Sequence, residues 1–222
     1  MTPALEAHYL YRFYHVGDDE TLALRGVSFS IAAGETVAVT GPSGSGKSTL
    51  INCLAGLDDP DGGWVAIGGQ RMTRQPQPEQ SRLRARHVGI LLQSGNLQDH
   101  LTLRDNMLAA LFLAGNTGGT ADIDAALEAV GLSGRAKAFP DQLAGGELAR
   151  ASLAVALVKN PTVLLADEPT AEVDAENERA LLRLFMDRAR GGCATLIVTH
   201  SAAVASVADR VLHLIDGRLD GA

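Results

Sequence analysis

The sequence predicts an α/β fold in which helices flank a largely parallel sheet. From residue 161 onward, apolar runs typical of buried strands alternate with helical segments: TVLLADE, AENERALLRLFMDRA, ATLIVTH, AAVASVADR and VLHLIDG. A further apolar run ends in Val37–Val39 and leads into a glycine-rich loop. Because parallel strands need crossover connections, this alternation indicates a parallel sheet with crossover helices. The 222 residues, 46% of them hydrophobic, are enough for one large domain or two small ones with a real core.

The glycine-rich loop reads GPSGSGKST and matches the pattern G-x-x-x-x-G-K-[ST] in full. The strand-like run precedes it, and Leu50, Leu54 and Leu57 follow it at helical spacing, so the loop connects a strand to a helix. A flexible serine–glycine loop that matches by chance is the alternative, and the flanking elements weigh against it. The predicted phosphate-binding residues are Gly41, Pro42, Ser43, Gly44, Ser45, Gly46, Lys47, Ser48 and Thr49.

Each residue type in this loop has a separate chemical reason. Gly44 and Gly46 lack a Cβ, so the backbone can aim several N–H groups at one anion. The N-terminus of the following helix adds partial positive charge. Lys47 supplies a cation for the β- and γ-phosphates, and the Ser48 hydroxyl is placed to bind Mg²⁺.

A second functional stretch is the acidic end of the run PTVLLADEPT. Asp167 and Glu168 follow four apolar residues, and ligands bind at the carboxyl ends of strands in open α/β sheets. We therefore expect Asp167 to hold Mg²⁺, directly or through water, and Glu168 to polarise the water that attacks the γ-phosphate. The alternative is an acidic pair that caps a helix.

Composition excludes several classes of protein. The net charge of −7 argues against a large nucleic-acid surface, so no nucleic-acid partner is predicted. The apolar runs are too short to span a bilayer, and the N-terminus lacks the order of a signal peptide. Cys53 and Cys193 lie in apolar surroundings without a CxxC partner, which predicts reduced core residues.

The rest of the chain falls into two zones. Residues 8–36 and 62–70 predict a small antiparallel β layer beside the phosphate loop. Residues 102–160 are mostly helical in pattern, and Thr102 with Asp105 is a capping pair at the first helix of that zone.

Further motifs follow in the order in which one known family has them. The sequence resembles the nucleotide-binding subunit of ABC transporters over nearly its whole length. These motifs are Tyr14 in FYHVG, Gln93 in LLQSGNL, LAGGE from Leu143, AEVD at 171–174, and His200 in LIVTH. The resemblance implies a P-loop NTPase core with a parallel sheet, an antiparallel β subdomain and an inserted helical subdomain. It also implies one domain over 1–222, divided into 1–92, 93–160 and 161–222.

The resemblance also implies roles for individual residues. The implied cofactors are ATP and Mg²⁺, and the implied catalytic residues are Lys47, Gln93, Glu168 and His200. Magnesium is assigned to Ser48, Gln93 and Asp167. Tyr14 would stack on adenine, although Tyr9, Tyr11 and Phe13 lie in the same aromatic-rich strand.

The signature motif departs from the family's LSGGQ, because Ala144 and Glu147 replace the serine and the glutamine. In the family, each signature loop closes on the nucleotide held by the other subunit, and the serine hydroxyl donates to the γ-phosphate. Gly145 and Gly146 retain their backbone N–H groups and the helix N-terminus for that purpose. Glu147 either adds negative charge near the anion or points to solvent.

The implied partners are a second cassette, taken here as an identical copy, and an integral membrane permease. The expected location is cytoplasmic, on the inner face of the membrane through that permease. The segment RLRARHVGILLQSGNLQDHLTLRDNM resembles the lipoprotein-release, macrolide-efflux and cell-division ATPases, which work by mechanical strokes on lipoproteins, peptides or drugs. A permease helix is expected at a cleft near Gln93, flanked by Leu91, Leu92 and Leu97.

Other classes fit less well. A chromosome-maintenance ATPase would carry a long coiled coil between Lys47 and Leu143, and no sustained heptads occur there. A translation-factor type would carry two cassettes, and a P-loop kinase lacks the signature and switch motifs. A catalytically weak or regulatory cassette that pairs with a different, intact cassette stays open because of Ala144.

Overall fold

The computed structural model describes residues 2–16, 19–116, 120–171 and 173–220. Its strands are β1 (Leu5–Val16), β2 (Asp19–Ile31), β3 (Thr36–Thr40), β4 (Gly62–Ile67), β5 (Gln70–Arg71), β6 (Val88–Leu91), β7 (Val163–Asp167), β8 (Ala194–Val198), β9 (Arg210–Ile215) and β10 (Arg218–Leu219). Its α-helices are α1 (Lys47–Leu54), α2 (Gln77–His87), α3 (Leu103–Leu113), α4 (Thr120–Ala129), α5 (Gly145–Leu157), α6 (Ala175–Arg190) and α7 (Ala202–Val207). Short 3₁₀ turns lie at Ser133–Arg135 and Pro140–Gln142.

The central sheet has six strands in the order β10-β9-β3-β8-β7-β6. All neighbouring pairs from β9 to β6 are parallel, and only the short β10 runs antiparallel to β9. Strands β3, β7 and β8 are almost completely buried because helices cover both faces of a parallel sheet. The α/β fold class is confirmed.

A second sheet packs against this core. It has four antiparallel strands in the order β2-β1-β4-β5. Leu5, Leu10 and Leu24 from this sheet are fully buried in one cluster with residues of β3 and α1. The predicted antiparallel layer is therefore present, and it brings β1 and β2 alongside the phosphate loop.

The segment between β6 and β7 is helical and has its own hydrophobic cluster. Helices α3, α4 and α5 contribute its buried residues: Leu103, Met107, Leu111, Ile123, Leu127, Ala151 and Ala154. Thr102 is the N-cap of α3, and its hydroxyl accepts the N–H of Asp105 at 3.2 Å, as the capping pattern predicts. Among the described residues, no helix has the length and apolar character to cross a membrane.

One detail of the sequence prediction is wrong. Helix α1 ends at Leu54, and a turn follows in which the N–H of Leu57 bonds to Asn52. Leu57 therefore leaves the buried stripe and is 49% exposed. Both cysteines are buried and free, and burial raises the pKa of Cys53 to about 12.

Lys159, just after the end of α5, is half-buried with a cation as its neighbour. Its Nζ donates to the carbonyl of Arg84 at 3.4 Å. Burial, and then the positive charge of Arg84, lowers the pKa of Lys159 from 10.5 to about 8. Between about pH 8 and pH 10.5 the unfolded chain therefore holds more protons than the folded one. The charged form of Lys159 lowers the free energy of unfolding below this range, and that loss is recovered as the pH rises through it.

We expect Lys159→Met to raise the free energy of unfolding at pH 7 by about 1–3 kcal/mol, because the stem stays packed and the poorly solvated charge is removed. Urea denaturation at pH 7 and pH 10 is the measurement. The difference in the free energy of unfolding between the variant and the native chain should be smaller at pH 10 than at pH 7. The exposed Lys137→Met is the control, and an advantage that does not depend on pH would contradict this explanation.

Candidate nucleotide site

A cleft of about 870 Å³ opens at the carboxyl ends of β3 and β7. It is lined by the phosphate loop, by the two acidic residues after β7, and by the edge of β2. The predicted site residues that line it are Tyr14, Ser43, Gly44, Gly46, Lys47, Ser48, Thr49, Gln93, Asp167, Glu168 and His200. The structure thus brings together residues from five separate motifs.

The phosphate loop requires glycine at two positions where other backbone comes close. A Cβ on Gly41 would overlap the carbonyl of Leu214, and a Cβ on Gly46 would overlap the carbonyl of Ala23. Gly46 has a φ of 101° and is the N-cap of α1, so the helix begins at Lys47. These contacts fix the position of the loop between β9 and β2, with the helix N-terminus directed at the cleft.

Lys47 spans the loop that it follows. Its Nζ donates to the carbonyls of Gly41 and Pro42, both at 2.9 Å. Ser45 is buried, its carbonyl accepts the N–H of Gly217 at 3.0 Å, and Ser48 is exposed to the cleft. Gly41, Pro42 and Ser45 are not among the residues that line the cleft, whereas the other loop residues are.

Glu168 is held in an unusual backbone conformation directly after β7. Its φ is 49°, a region that costs a non-glycine residue about 1–2 kcal/mol. Its N–H donates to the carbonyl of Val198 at 2.9 Å, which ties it to the end of β8. Strain of this kind persists where surrounding contacts fix it, and it is common at functional sites.

The carboxylate of Glu168 contacts His200. Oε2 accepts the backbone N–H of His200 at 3.2 Å. Oε1 lies 3.3 Å from Nε2 of the imidazole, but it is buried without a well-aligned hydrogen bond. Oε1 is therefore left without an aligned donor among the described residues, and Oε2 accepts one backbone N–H.

Glu178 is a site residue that sequence reasoning missed. It lies in the first turns of α6 and lines the same cleft. Its Oε1 accepts the hydroxyl of Ser201 at 2.7 Å and that of Thr170 at 3.2 Å. It thereby joins the segment after Glu168 to the segment after His200. In the sequence Glu178 is indistinguishable from the other acids near the start of a helix, so no local signal indicates this role.

Tyr14 is the aromatic residue of β1 that faces the cleft. Of the four candidates in that strand, Tyr9, Tyr11, Phe13 and Tyr14, it alone is among the described residues that line the cleft. Its hydroxyl donates to Asp58 at 3.0 Å, and the guanidinium of Arg12 lies over its ring. Neither Arg12 nor Asp58 was predicted as a site residue.

The signature residues do not line this cleft. Ala144 is the N-cap of α5, and the helix begins with Gly145 and Gly146. Glu147 is partly exposed, and its carboxylate accepts the N–H of Ala144 at 3.0 Å and two bonds from Arg135 at 2.8 and 3.0 Å. Arg135 first, and then that N–H, lowers the pKa of Glu147 to about 2. Its negative charge is thus paired with Arg135.

The segment AEVD leads into α6. Asp174 is the N-cap of α6 and accepts the N–H groups of Glu176 and Asn177 at 3.0 and 2.9 Å. Glu172 lies outside the described residues. The side chain of Asn177 also bonds Arg150 of α5, and a Cβ on Gly146 would overlap it, so the signature helix and α6 are in direct contact.

The donor set fits magnesium better than a metal held by protein ligands alone. The described residues contain no group of three or more His, Cys, Asp and Glu side chains that could hold a metal. Ser48, Gln93 and Asp167 instead line the cleft together with a hydroxyl, an amide and a carboxylate. Mg²⁺ typically takes one or two protein oxygens and completes its shell with phosphates and water.

This geometry defines a phosphate-loop protein that binds a nucleoside triphosphate. Comparisons with known proteins identify the family within this class. A sequence model described as "ABC transporter" matches residues 24–171. The chain belongs to the ABC transporter family, as an ATP-binding subunit; it is an ATPase, with ATP and Mg²⁺ as its cofactors.

Individual relatives agree with this assignment. The lipoprotein-releasing system ATP-binding protein LolD of Bacteroides fragilis is 39% identical over 199 residues, which are 88% of this chain and 92% of LolD. The macrolide export ATP-binding/permease protein MacB of Rhodopirellula baltica is 39% identical over 218 residues, 96% of this chain but 32% of MacB. The dimeric post-hydrolysis structure of the ATP-binding cassette MJ0796, bound to ADP and Pi, matches with a TM-score of 0.90 at 30% identity, covering 97% of this chain and 96% of that one.

Proposed function

We propose that this ATPase powers a separate membrane permease of the lipoprotein-release and macrolide-efflux type, moving lipoproteins, peptides or drugs by mechanical strokes. The observation that carries the proposal is the completeness of the cleft, in which Lys47, Gln93, Glu168 and His200 line one volume. The similarity to LolD and MacB supports the transporter type. The protein then works on the cytoplasmic side of the membrane, attached through the permease.

Within this site we propose the following division of work. The phosphate loop and Lys47 bind the phosphates, and Ser48, Gln93 and Asp167 hold Mg²⁺, which withdraws charge from the γ-phosphate when bound. Glu168, which lines the cleft directly after β7, orients and polarises the attacking water. His200, which contacts Glu168, senses the γ-phosphate in this proposal.

The signature residues act on a second copy of the chain in this proposal. Ala144, Gly145, Gly146 and Glu147 lie outside the chain's own nucleotide cleft, so they have no role there. They lie at the N-terminus of α5, where orphan N–H groups favour an anion. The dimeric form of the similar cassette MJ0796 supports an identical partner. We also propose that the chain is one domain, divided into 1–92, 93–160 and 161–222.

A second cleft, of about 440 Å³, fits a permease helix. It lies between the core and the helical segment, and Gln93 and Glu168 line both clefts. Of the leucines expected there, Leu91 and Leu97 are largely buried and Leu92 is half-buried, so they form its floor. Asp99 and Asp141 line the same cleft.

Reversing charge at this cleft should uncouple the two proteins. We expect Asp99→Arg and Asp141→Arg to keep the ATPase rate of the isolated chain within about twofold, because neither residue touches the nucleotide site. Stimulation of the ATPase by the reconstituted permease should fall about tenfold or more, since a like or misplaced charge at a docking site costs about 1–3 kcal/mol. The control is Asp187→Arg on α6. Full stimulation in both cleft variants would place the permease elsewhere.

A further inference from the structure

The side chain of Arg12 is the centre of an ionic cluster behind Tyr14. Its Nε and Nη2 both bond the carboxylate of Asp58 at 2.8 Å, and Nη1 bonds Asp61 at 3.0 Å. A bidentate pairing of this kind fixes the guanidinium plane as well as its position. Arg12 and Asp58 are 21% and 26% exposed, so the pair is shielded from solvent much more than an ordinary surface ion pair.

This cluster holds Tyr14 at two points. The Arg12 guanidinium carbon lies 4.8 Å from the centre of the Tyr14 ring, in a cation–π contact with one face. The Tyr14 hydroxyl donates to Asp58, the carboxylate that Arg12 already binds. A contact on one face together with a bond at the hydroxyl leaves the ring little freedom to rotate about either side-chain torsion. Tyr14 itself lines the nucleotide cleft.

The cluster also connects the base side of the cleft to the phosphate side. Asp58 and Asp61 lie in the turn that follows α1, the helix that begins with Lys47. Asp61 accepts the backbone N–H of Phe13 at 2.8 Å, and its own N–H donates to the carbonyl of Tyr11. The turn after the phosphate-loop helix is therefore bonded to β1 on both sides of Arg12.

We propose that Arg12 is a positioning residue for nucleotide-base binding: held by Asp58 and Asp61, it covers one face of Tyr14 and presents the other face to adenine. The proposal rests on the proposed nucleotide site, in which Tyr14 stacks on the base. The base of ATP then completes a stack of guanidinium, phenol and adenine. Arg12 acts on the base through Tyr14 and has no contact with the phosphates.

The test separates the base from the phosphates. In Arg12→Ala, the KM for ATP should rise about 3- to 30-fold, the range of a partly desolvated cation–π contact, while kcat stays within about twofold. The inhibition constant of magnesium tripolyphosphate, which has no base, should stay unchanged. Arg210→Ala is the matched control, because it removes a similar arginine–carboxylate pair, with Glu35, from the amino end of β9.

A second set of variants keeps the test decisive if Arg12→Ala folds poorly. Arg12→Lys retains a charge but loses the fork, and it should give a smaller rise in KM. In a Tyr14→Leu background, Arg12→Ala should add less than about twofold, since the residue through which it acts is gone. Two results would overturn the proposal. One is an equal change in the KM for ATP and in the inhibition constant of tripolyphosphate; the other is an undiminished effect of Arg12→Ala on the KM in the Tyr14→Leu background. The Lys47→Ala variant tests the nucleotide site independently. It should bind neither ATP nor magnesium tripolyphosphate, and unchanged binding of both would overturn the nucleotide site itself.

Discussion

Glu168→Gln is expected to abolish most ATP turnover while it preserves ATP binding. In the proposed site Lys47, Ser48 and Asp167 still hold the nucleotide and Mg²⁺ in this variant, but the amide cannot take a proton from the attacking water. Loss of a general base slows the chemical step by about 100- to 10,000-fold. The ATP-bound dimer should accumulate as a result.

The measurements for this variant are steady-state phosphate release and gel filtration with ATP. Glu176→Gln, on the exposed first turn of α6, is the matched control and should turn over normally. The Glu168 φ of 49° is unaffected by the choice between Glu and Gln, so backbone strain does not explain a loss. Native turnover in Glu168→Gln would refute the role assigned to Glu168.

Ala144→Ser is expected to accelerate the ATPase if the chain pairs with itself. Both sites of such a dimer lack the signature hydroxyl, and a hydrogen bond to a charged acceptor contributes about 1.5–3 kcal/mol. Restoring it should raise turnover, or tighten the ATP-bound dimer, by about tenfold to hundredfold. Ala121→Ser, at an exposed position in the first turn of α4, is the control.

Serine at position 144 has two effects that the experiment must distinguish: it caps α5, and it contacts the nucleotide of the other subunit. Ala144 is the N-cap of α5, and serine at an N-cap stabilises a helix by about 0.5–2 kcal/mol without any nucleotide. A rise in thermal stability of the nucleotide-free chain therefore reports capping alone. Faster turnover reports the contact across the dimer. A rise in stability with unchanged turnover would show that the N–H groups of Gly145 and Gly146 suffice.

Pairing with a different cassette gives another pattern. If that partner carries an intact serine, the site of this chain is complete, and Ala144→Ser changes only the partner's site. Glu168→Gln then remains the more damaging substitution. Mixing the chain with its permease and measuring turnover in each variant distinguishes this assembly from the identical pair.

Much of this protein was predictable because its chemistry is local in sequence. The phosphate loop needs a strand, glycines at fixed spacing and a helix N-terminus, and all of these lie between Thr36 and Leu54. The end of β7 at Asp167 and the cap at Thr102 are equally local, since apolar runs and capping residues act on the backbone beside them. The boundary of α1 was missed at Leu57, although Gly56 marks it: this glycine has a φ of 64°, and the N–H groups of Gly56 and Leu57 bond back to the carbonyls of Cys53 and Asn52.

The sequence by itself determined the strand–loop–helix turn, the order of the motifs and the family to which they belong. Only the tertiary structure decided which side chains meet. Arg12 pairs with Asp58, Glu147 with Arg135, and Glu178 with Ser201. Charged and hydroxyl side chains pair through directional contacts a few ångströms long, and such contacts leave no periodic pattern in the chain. Their geometry exists only after the buried strands and helices have fixed the backbone positions from which these side chains extend.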